Sequence, residues 1–216
     1  MIFQNRYNAG RQLAAMLLPY ARRSNVIVLA LPRGGVPVGF EVAQALQVPL
    51  DVLLVRKLGL PGHEELAMGA IASGGVRVLN DRVVEMYHPS EDDLARITER
   101  ETRELKRREQ VYRNNRPWPE VCGRTVLLVD DGLATGSTMR AAIAAVRTWQ
   151  PAQLIVAVPV CAADTCERIQ NLVDSVVCLS TPDSFYAVGQ FYEDFSPTTD
   201  EEVVALLARS VVSNDP

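Results

Sequence analysis

The sequence lacks the features that mark several classes of protein. Its apolar runs are all shorter than the roughly eighteen residues that a membrane-spanning helix needs. Histidine is scarce, with 2 residues in 216, and the 4 cysteines contain no C-x-x-C pair, so a zinc site is not indicated. We therefore expect reduced and mostly buried thiols. The cysteines are Cys122, Cys161, Cys166 and Cys178.

An excess of basic charge is also missing. Lysine and arginine number 22 against 26 aspartates and glutamates, which gives a formal net charge of −4 at pH 7. Nucleic-acid-binding proteins usually carry a basic surface, so we expect no nucleic-acid partner. The polar start, Met1 to Arg11, and the lack of a long apolar run predict a cytoplasmic protein with no membrane attachment.

The hydrophobic pattern predicts an α/β fold. A chain of 216 residues is long enough for one such domain and short for two, so we expect a single domain over residues 1–216. Continuous apolar runs alternate with helical patterns, which predicts a doubly wound, mainly parallel sheet flanked by helices. The expected strands are 26–31, 51–55, 126–129, 154–160 and 175–179, and the expected helices lie within 3–20 and at 37–46, 139–149 and 163–172.

The middle of the chain departs from this alternation. Two short strand-like runs, 67–72 and 76–79, are joined by a Ser-Gly-Gly turn and predict a hairpin. From Ser90 a long helix is expected to reach about Arg113, with acids in its first turn and bases in its last. Its thin apolar stripe favours a solvated helix with many ion pairs, and a role in dimer contact is the alternative.

The stretch from Val126 to Thr138 concentrates the candidate chemistry. Its apolar run ends at two adjacent carboxylates, Asp130 and Asp131, and a glycine-containing turn then leads into a helix. Such a turn offers backbone N–H groups and the positive end of the helix dipole to an anion. Paired acids at its lip suit vicinal hydroxyls or a divalent metal. The stretch predicts a sugar-phosphate pocket, and the alternative is an ordinary strand and turn near solvent.

This stretch resembles the phosphoribosyl pyrophosphate (PRPP) signature of type I phosphoribosyltransferases, in which an acidic pair and Thr-Gly-x-Thr follow an apolar run. The resemblance implies that Asp130 and Asp131 contact the ribose 2- and 3-hydroxyls and that the turn binds the 5-phosphate. It also implies Mg²⁺ as the cofactor, with Asp130, Asp131 and Asp194 as the candidate metal ligands. The turn consists of Ala134, Thr135, Gly136, Ser137 and Thr138.

Two further segments carry candidate pyrophosphate ligands. The strand expected at 26–31 runs into Arg33, Gly34 and Gly35, where glycines allow close backbone approach and an arginine supplies donors. The resemblance places pyrophosphate on this loop. Arg56 and Lys57 follow the next expected strand and could neutralise pyrophosphate, or they could form a solvated basic corner. Arg33 and Lys57 join the acidic pair as candidate catalytic residues.

The segment 181–195 holds 5 of the 11 Phe and Tyr residues of the chain. Such a density of rings suggests a lid over a flat ligand, and aromatics that pack a small subdomain are the alternative. The segment resembles the hood of hypoxanthine-type phosphoribosyltransferases. That resemblance implies base stacking by Phe185 or Tyr186, backbone contact by Val188, and a metal or base partner in Asp194.

The resemblance covers nearly the full chain, which is similar to a group of bacterial phosphoribosyltransferases of undefined substrate. It implies transfer of the 5-phosphoribosyl group from PRPP to a nitrogen nucleophile, such as a nucleobase in salvage, with release of pyrophosphate. It further implies a homodimer, a mobile flap within about 58–118 and a hood at about 181–216. Ala134 stands where hypoxanthine-type enzymes carry Asp, so no general base is indicated there. A PRPP-sensing regulator without catalysis is the alternative.

Overall fold

The computed structural model describes residues 1–114 and 116–212, apart from the side chains of Glu65, Val211 and Val212. The last residues of the predicted hood, 213–216, lie outside the described part. The strands are β1 (Val26–Ala30), β2 (Leu50–Val52), β3 (Val55–Leu60), β4 (His63–Ala72), β5 (Val76–Leu79), β6 (Thr125–Val129), β7 (Gln153–Val160) and β8 (Ser175–Ser180). The α-helices are α1 (Arg6–Leu17), α2 (Gly35–Leu46), α3 (Asp81–Tyr87), α4 (Glu91–Arg113), α5 (Ser137–Thr148), α6 (Ala163–Gln170) and α7 (Asp200–Val212).

Alternate residues of the parallel strands pack into two hydrophobic cores. Val26, Val28 and Ala30 of β1 join the core that α1, α2 and α7 cover, whereas Ile27 and Leu29 join the core that α5 and α6 cover. Because both faces are covered, these strands are continuous apolar runs in the sequence. The predicted parallel sheet flanked by helices is confirmed, with strand order β2-β1-β6-β7-β8.

The strand order places a topological switch point between β1 and β6. From β1 the chain moves to β2 on one side, and it later returns to form β6 on the other side of β1. Ligands of open α/β sheets bind at such a point, beyond the carboxyl ends of the strands. The amide of Leu31 donates to the carbonyl of Val129 at 2.8 Å, which holds the two loops together as they leave the sheet.

A second, antiparallel sheet of β3, β4 and β5 forms what we call the flap sheet. The hairpin predicted from 67–72 and 76–79 is confirmed. The strand expected at 51–55 is wrong in its extent, because β2 ends at Val52 and Val55 begins β3 in the other sheet. Arg56 and Lys57 therefore start the flap sheet and do not end a parallel strand. A short apolar run does not specify which sheet it joins.

The long charged helix is confirmed as α4. The hydroxyl of Ser90 accepts a hydrogen bond from the amide of Asp93 at 3.1 Å, so Ser90 caps the helix as expected. Ion pairs at spacings of three and four residues run along its exposed side. Glu101 interrupts the apolar stripe because it is buried and paired: Arg56 donates from Nε and Nη2 to its Oε2 at 2.8 and 2.6 Å.

Two helices were not expected, α3 and α7. Val203, Leu206 and Leu207 of α7 are buried in the core shared with α2, so this part of the predicted hood is a layer of the main fold. We keep the name hood for residues 181–199, of which Val188 and Tyr192 contact the acidic loop. In the described part of the chain, no helix combines the length and apolarity needed to cross a membrane. All four cysteines are free, but the expectation of mostly buried thiols is wrong: Cys161 is buried, Cys166 and Cys178 are half-buried, and Cys122 is exposed.

We predict that the Arg56–Glu101 pair anchors the flap sheet to α4. Glu101→Ala should lower the free energy of unfolding by about 1–3 kcal/mol, because it leaves a partly buried guanidinium unpaired. The side chains of Arg56 and Glu101 are 31% and 9% exposed. Urea unfolding measures the loss.

Glu99→Ala is the matched control, since Glu99 pairs with Arg103 on the same helix but both side chains are at least 65% exposed. It should leave the urea midpoint unchanged. Equal losses from the two variants would contradict the anchoring role of Glu101.

Candidate functional site

Two loops touch at the switch point, the one after β1 and the one after β6. A Cβ atom added to Gly34 would lie 2.0 Å from Oδ2 of Asp131, and one added to Gly35 would lie 2.8 Å from the carbonyl oxygen of Val129. Neither position has room for a side chain, so glycine is what lets the loops meet. The peptide between Pro32 and Arg33 is cis.

The acidic pair sits at this contact. Oδ1 of Asp130 accepts a hydrogen bond from the amide of Asp131 at 2.9 Å. Burial raises the pKa of the Asp130 carboxyl well above its usual range, and the neighbouring Asp131 adds to the rise. Burial also raises the pKa of Asp131, while hydrogen bonding and charge from Arg6 oppose that rise. Hydroxyl donors or a cation would stabilise these two carboxylates, because they are close together and poorly hydrated.

Arg6 forms an ion pair with Asp131 of this pair. Its Nε donates to Oδ2 of Asp131 at 2.8 Å, and its Nη1 donates to the carbonyl of Ser196 at 2.7 Å. The guanidinium carbon lies 3.9 Å from the ring centroid of Phe195. The sequence did not indicate this contact, because no local pattern links residues 125 positions apart.

The predicted phosphate turn leads directly into α5. Gly136 has a φ of +69° and precedes the helix, which starts at Ser137. The first helical hydrogen bond runs from the amide of Arg140 to the carbonyl of Gly136 at 2.9 Å, so the earlier amides of the helix point outward. A hydrogen bond from α6 anchors the turn, because the buried hydroxyl of Thr165 donates to the carbonyl of Ala134 at 2.7 Å. The first amides of α5 and the exposed hydroxyls of Thr135, Ser137 and Thr138 are therefore donors available to an anion at the start of this helix.

A cavity of about 1000 Å³ separates this turn and α5 from the flap sheet. Thr135, Ser137 and Thr138 line one wall, and Lys57 of β3 lines the opposite one. The remaining polar residues of the lining are Asn80, Asp81, Arg82 and Arg140. The flap sheet is thus placed to cover a ligand that sits on the turn.

The predicted pyrophosphate cations differ in their surroundings. Arg33 is exposed, and its Nη1 lies 3.7 Å from Oδ1 of Asp200 on α7. Lys57 is exposed and faces the cavity. Arg56 is outside the cavity lining and is held by Glu101 on α4. The structure therefore brings Lys57 to the phosphate turn and keeps Arg56 in a different contact.

The predicted base-binding residues of the hood also differ in their surroundings. A Cβ on Gly132 would lie 2.6 Å from Cγ1 of Val188, so Val188 adjoins the acidic loop. Phe185 packs against Phe191 with ring centroids 5.1 Å apart, whereas Tyr186 is 90% exposed. Sequence reasoning missed Tyr192, whose hydroxyl donates to the carbonyl of Asp131 at 2.6 Å.

Asp194 lies apart from the acidic pair. Its Oδ1 accepts hydrogen bonds from the amide and hydroxyl of Ser196 at 2.9 and 2.5 Å, which lower the pKa of the carboxyl. Within residues 1–114 and 116–212, no group of three or more His, Cys, Asp or Glu side chains is placed to hold a metal. The role of Asp194 as a metal ligand stays a prediction.

Comparison with known proteins agrees with this architecture. Two Mycobacterium tuberculosis proteins, each named "Putative phosphoribosyl transferase", are 47% identical over 209 residues, which is 97% of this chain and 47% of theirs. The chain therefore spans about half the length of these curated relatives. The crystal structure of TT1426 from Thermus thermophilus is 43% identical, with a TM-score of 0.88 over 97% of this chain and 99% of that one.

More distant likeness and the family profile complete the comparison. The structure of the AQ2163 protein from Aquifex aeolicus is 13% identical, with a TM-score of 0.53 over 85% of this chain and 78% of that one, and shows the fold alone. Residues 1–196 match the family described as "Phosphoribosyl transferase domain". The chain belongs to the phosphoribosyltransferase family.

Proposed function

We propose that the protein transfers the 5-phosphoribosyl group of PRPP to a nitrogen nucleophile and releases pyrophosphate. One observation carries the proposal. The glycine loop after β1 touches the acidic pair after β6, and the phosphate turn follows that pair within a few residues. Sites for a pyrophosphate, a pair of vicinal hydroxyls and a phosphate monoester thus lie in sequence along one sheet edge, which is the order of these groups in PRPP.

Each group of PRPP has a matching set of donors or acceptors. The outward amides at the start of α5 and the hydroxyls of Thr135 and Ser137 suit the 5-phosphate dianion. The carboxylates of Asp130 and Asp131 accept hydrogen bonds from the ribose hydroxyls. The pyrophosphate lies on the loop that starts at Arg33, and Lys57 of the flap sheet faces the phosphate turn across the cavity. The set neutralises both phosphate ends of the substrate.

The proposed reaction exchanges one bond at C1 of the ribose. The C1–O bond to pyrophosphate breaks and the bonding pair leaves with the pyrophosphate, while the lone pair of the acceptor nitrogen forms the new C1–N bond. The acceptor then loses one proton. The protein forms no covalent bond, so positioning and electrostatic stabilisation supply the rate. The flap sheet keeps water, the competing nucleophile, from the reacting carbon.

The acidic pair fits a magnesium ion. Mg²⁺ prefers hard oxygen ligands and is usually held by one or two carboxylates together with substrate phosphates and water. Asp130 and Asp131 supply two adjacent, partly buried carboxylates, and no third acidic ligand is clustered with them in the described residues. When bound, the ion would neutralise charge on the leaving pyrophosphate. The bonds from Ser196 occupy Oδ1 of Asp194, so Oδ2 would be the oxygen that joins the ion.

The acceptor belongs on the hood side of the acidic pair. Val188 borders the acidic loop, and the exposed ring of Tyr186 is free to stack on a flat heterocycle. A nucleobase in a salvage reaction is therefore the acceptor class we propose. We further propose a single domain, a cytoplasmic location and a homodimer, in line with the sequence expectations.

The acidic pair gives the most direct test. Asp130→Asn with Asp131→Asn should lower pyrophosphate release at least about 100-fold, because amides bind hydroxyls and Mg²⁺ more weakly than carboxylates do. A pyrophosphate-release screen of PRPP and Mg²⁺ against purines, pyrimidines and small amines measures it, with circular dichroism to check the fold.

Asp164→Asn is the control, since Asp164 is an exposed acid on α6 that pairs with Arg168. Retained turnover in the double variant would refute the role of the acidic pair. PRPP binding by the unmodified protein, without turnover on any acceptor, would favour the PRPP-sensing regulator instead.

The contact between the two loops has its own test. Gly34→Ala should displace the Asp131 side chain, because the added methyl would overlap Oδ2, and it should lower stability by about 1–3 kcal/mol and abolish PRPP binding. Calorimetric titration with PRPP and thermal unfolding measure the two effects. Gly123→Ala, which has a φ of +69° but open space for a methyl, should cost only backbone strain and bind PRPP normally. Normal binding by Gly34→Ala would remove the loop contact from the proposal.

The two aromatic candidates of the hood can be separated. Tyr186→Ala should raise the KM for the acceptor while leaving the melting temperature unchanged, since the ring is 90% exposed. Phe185→Ala should lower the melting temperature, because its ring packs on Phe191. Steady-state kinetics of both variants measure the acceptor KM, and thermal unfolding measures the melting temperature. An unchanged acceptor KM in Tyr186→Ala would exclude it from the base site.

A further inference from the structure

Arg6 is the most deeply buried cation at the proposed site. It is 9% exposed, although it belongs to the first turn of α1 and lies far in sequence from both loops. Burying a guanidinium is costly unless it is paired and hydrogen-bonded. Arg6 meets that condition with Asp131, with the carbonyl of Ser196 and with the ring of Phe195. Two separate segments of the chain, the acidic loop and the hood, therefore contact this one side chain.

The contact fixes a carboxylate that the proposed reaction uses. Oδ2 of Asp131 lies close to both Nε of Arg6 and the backbone of Gly34, and a Cβ on Gly34 would also lie 3.1 Å from that Nε. The side chain of Asp131 is only 14% exposed. Its carboxylate therefore has one oxygen committed to Arg6, and its orientation is set by α1 as well as by its own loop.

The charge of Arg6 matters as much as its geometry. Asp130 and Asp131 are adjacent, and PRPP carries phosphate groups at both ends, so the ligand and the pair would repel each other in a poorly hydrated site. One buried guanidinium offsets one of the two carboxylates. Arg6 has five N–H donors, and two of them have partners among the described residues.

We propose that Arg6 is a positioning residue for PRPP, which orients the Asp131 carboxylate towards the ribose and couples that orientation to the hood through Phe195 and Ser196. The inference rests on the proposed function, because it assigns Asp131 to the ribose. If Arg6 has this role, α1 and the hood affect sugar binding although they lie outside both loops.

The experiment compares PRPP affinity in the presence of Mg²⁺ by isothermal titration calorimetry. Arg6→Met keeps the bulk and removes the charge, and it should weaken binding roughly 10- to 100-fold. Arg6→Lys keeps the charge but loses the fork and the planar stack, so its affinity should lie between those of Arg6→Met and the unmodified protein. Arg11→Met, on the same helix and 59% exposed in its side chain, should bind PRPP normally.

A double-mutant cycle separates positioning from general stabilisation. In an Asp131→Asn background, Arg6→Met should cost less than about 3-fold, because the carboxylate through which Arg6 acts is gone. An undiminished loss in that background would overturn the proposal, as would normal PRPP binding by Arg6→Met. If Arg6→Met does not fold, Phe195→Leu, which removes only the ring under the guanidinium, carries the same cycle and the same criteria. Absence of PRPP binding by the folded, unmodified protein would instead overturn the proposed function itself.

Discussion

The architecture of the site depends on a steric constraint: two loops from neighbouring parallel strands approach more closely than any side chain would permit. Gly34 and Gly35 accept the backbone of β6 and the Asp131 carboxylate in the space where a Cβ would stand. The pairing of β1 with β6 sets the distance, and the reversal of strand order puts both loops at the same sheet edge. The placement of the acidic pair beside the candidate pyrophosphate loop follows from that meeting.

Buried arginines form the second organising element. Arg6 holds Asp131 beside the loops, and Arg113 of α4 holds Asp51 of β2 while its guanidinium lies 3.9 Å from the ring centroid of Trp118. Arginine suits such places because its planar fork donates to a carboxylate and stacks on a ring at once. These pairs join helices to the sheet edge, so electrostatics and packing hold the same elements together.

Local chemistry made much of the fold and the site predictable. The run ending at Asp130 is apolar throughout and is followed by turn residues, and such a segment allows few alternatives. Contacts between residues far apart in the sequence were not predictable, such as those of Arg6 and Tyr192 with Asp131. Arg56 illustrates the same limit, since its charge suggested an anion and its partner is Glu101 on α4. For α7 the signal was present in the acids at its start and in the apolar spacing that follows.

A parallel bridge between Phe3 and Tyr192 joins the hood to the segment before α1: the amide of Phe3 donates to the carbonyl of Phe191 at 2.8 Å, and the amide of Glu193 donates to the carbonyl of Phe3 at 2.8 Å. The acidic loop therefore cannot be completed until the segment about Tyr192, 61 residues further along the chain, has been made and has folded against it. Shorter fragments would retain the central strands and lack both the hydroxyl under Asp131 and the carbonyl that holds Arg6. The binding edge thus depends on residues that are synthesised after the strand and the turn that they complete.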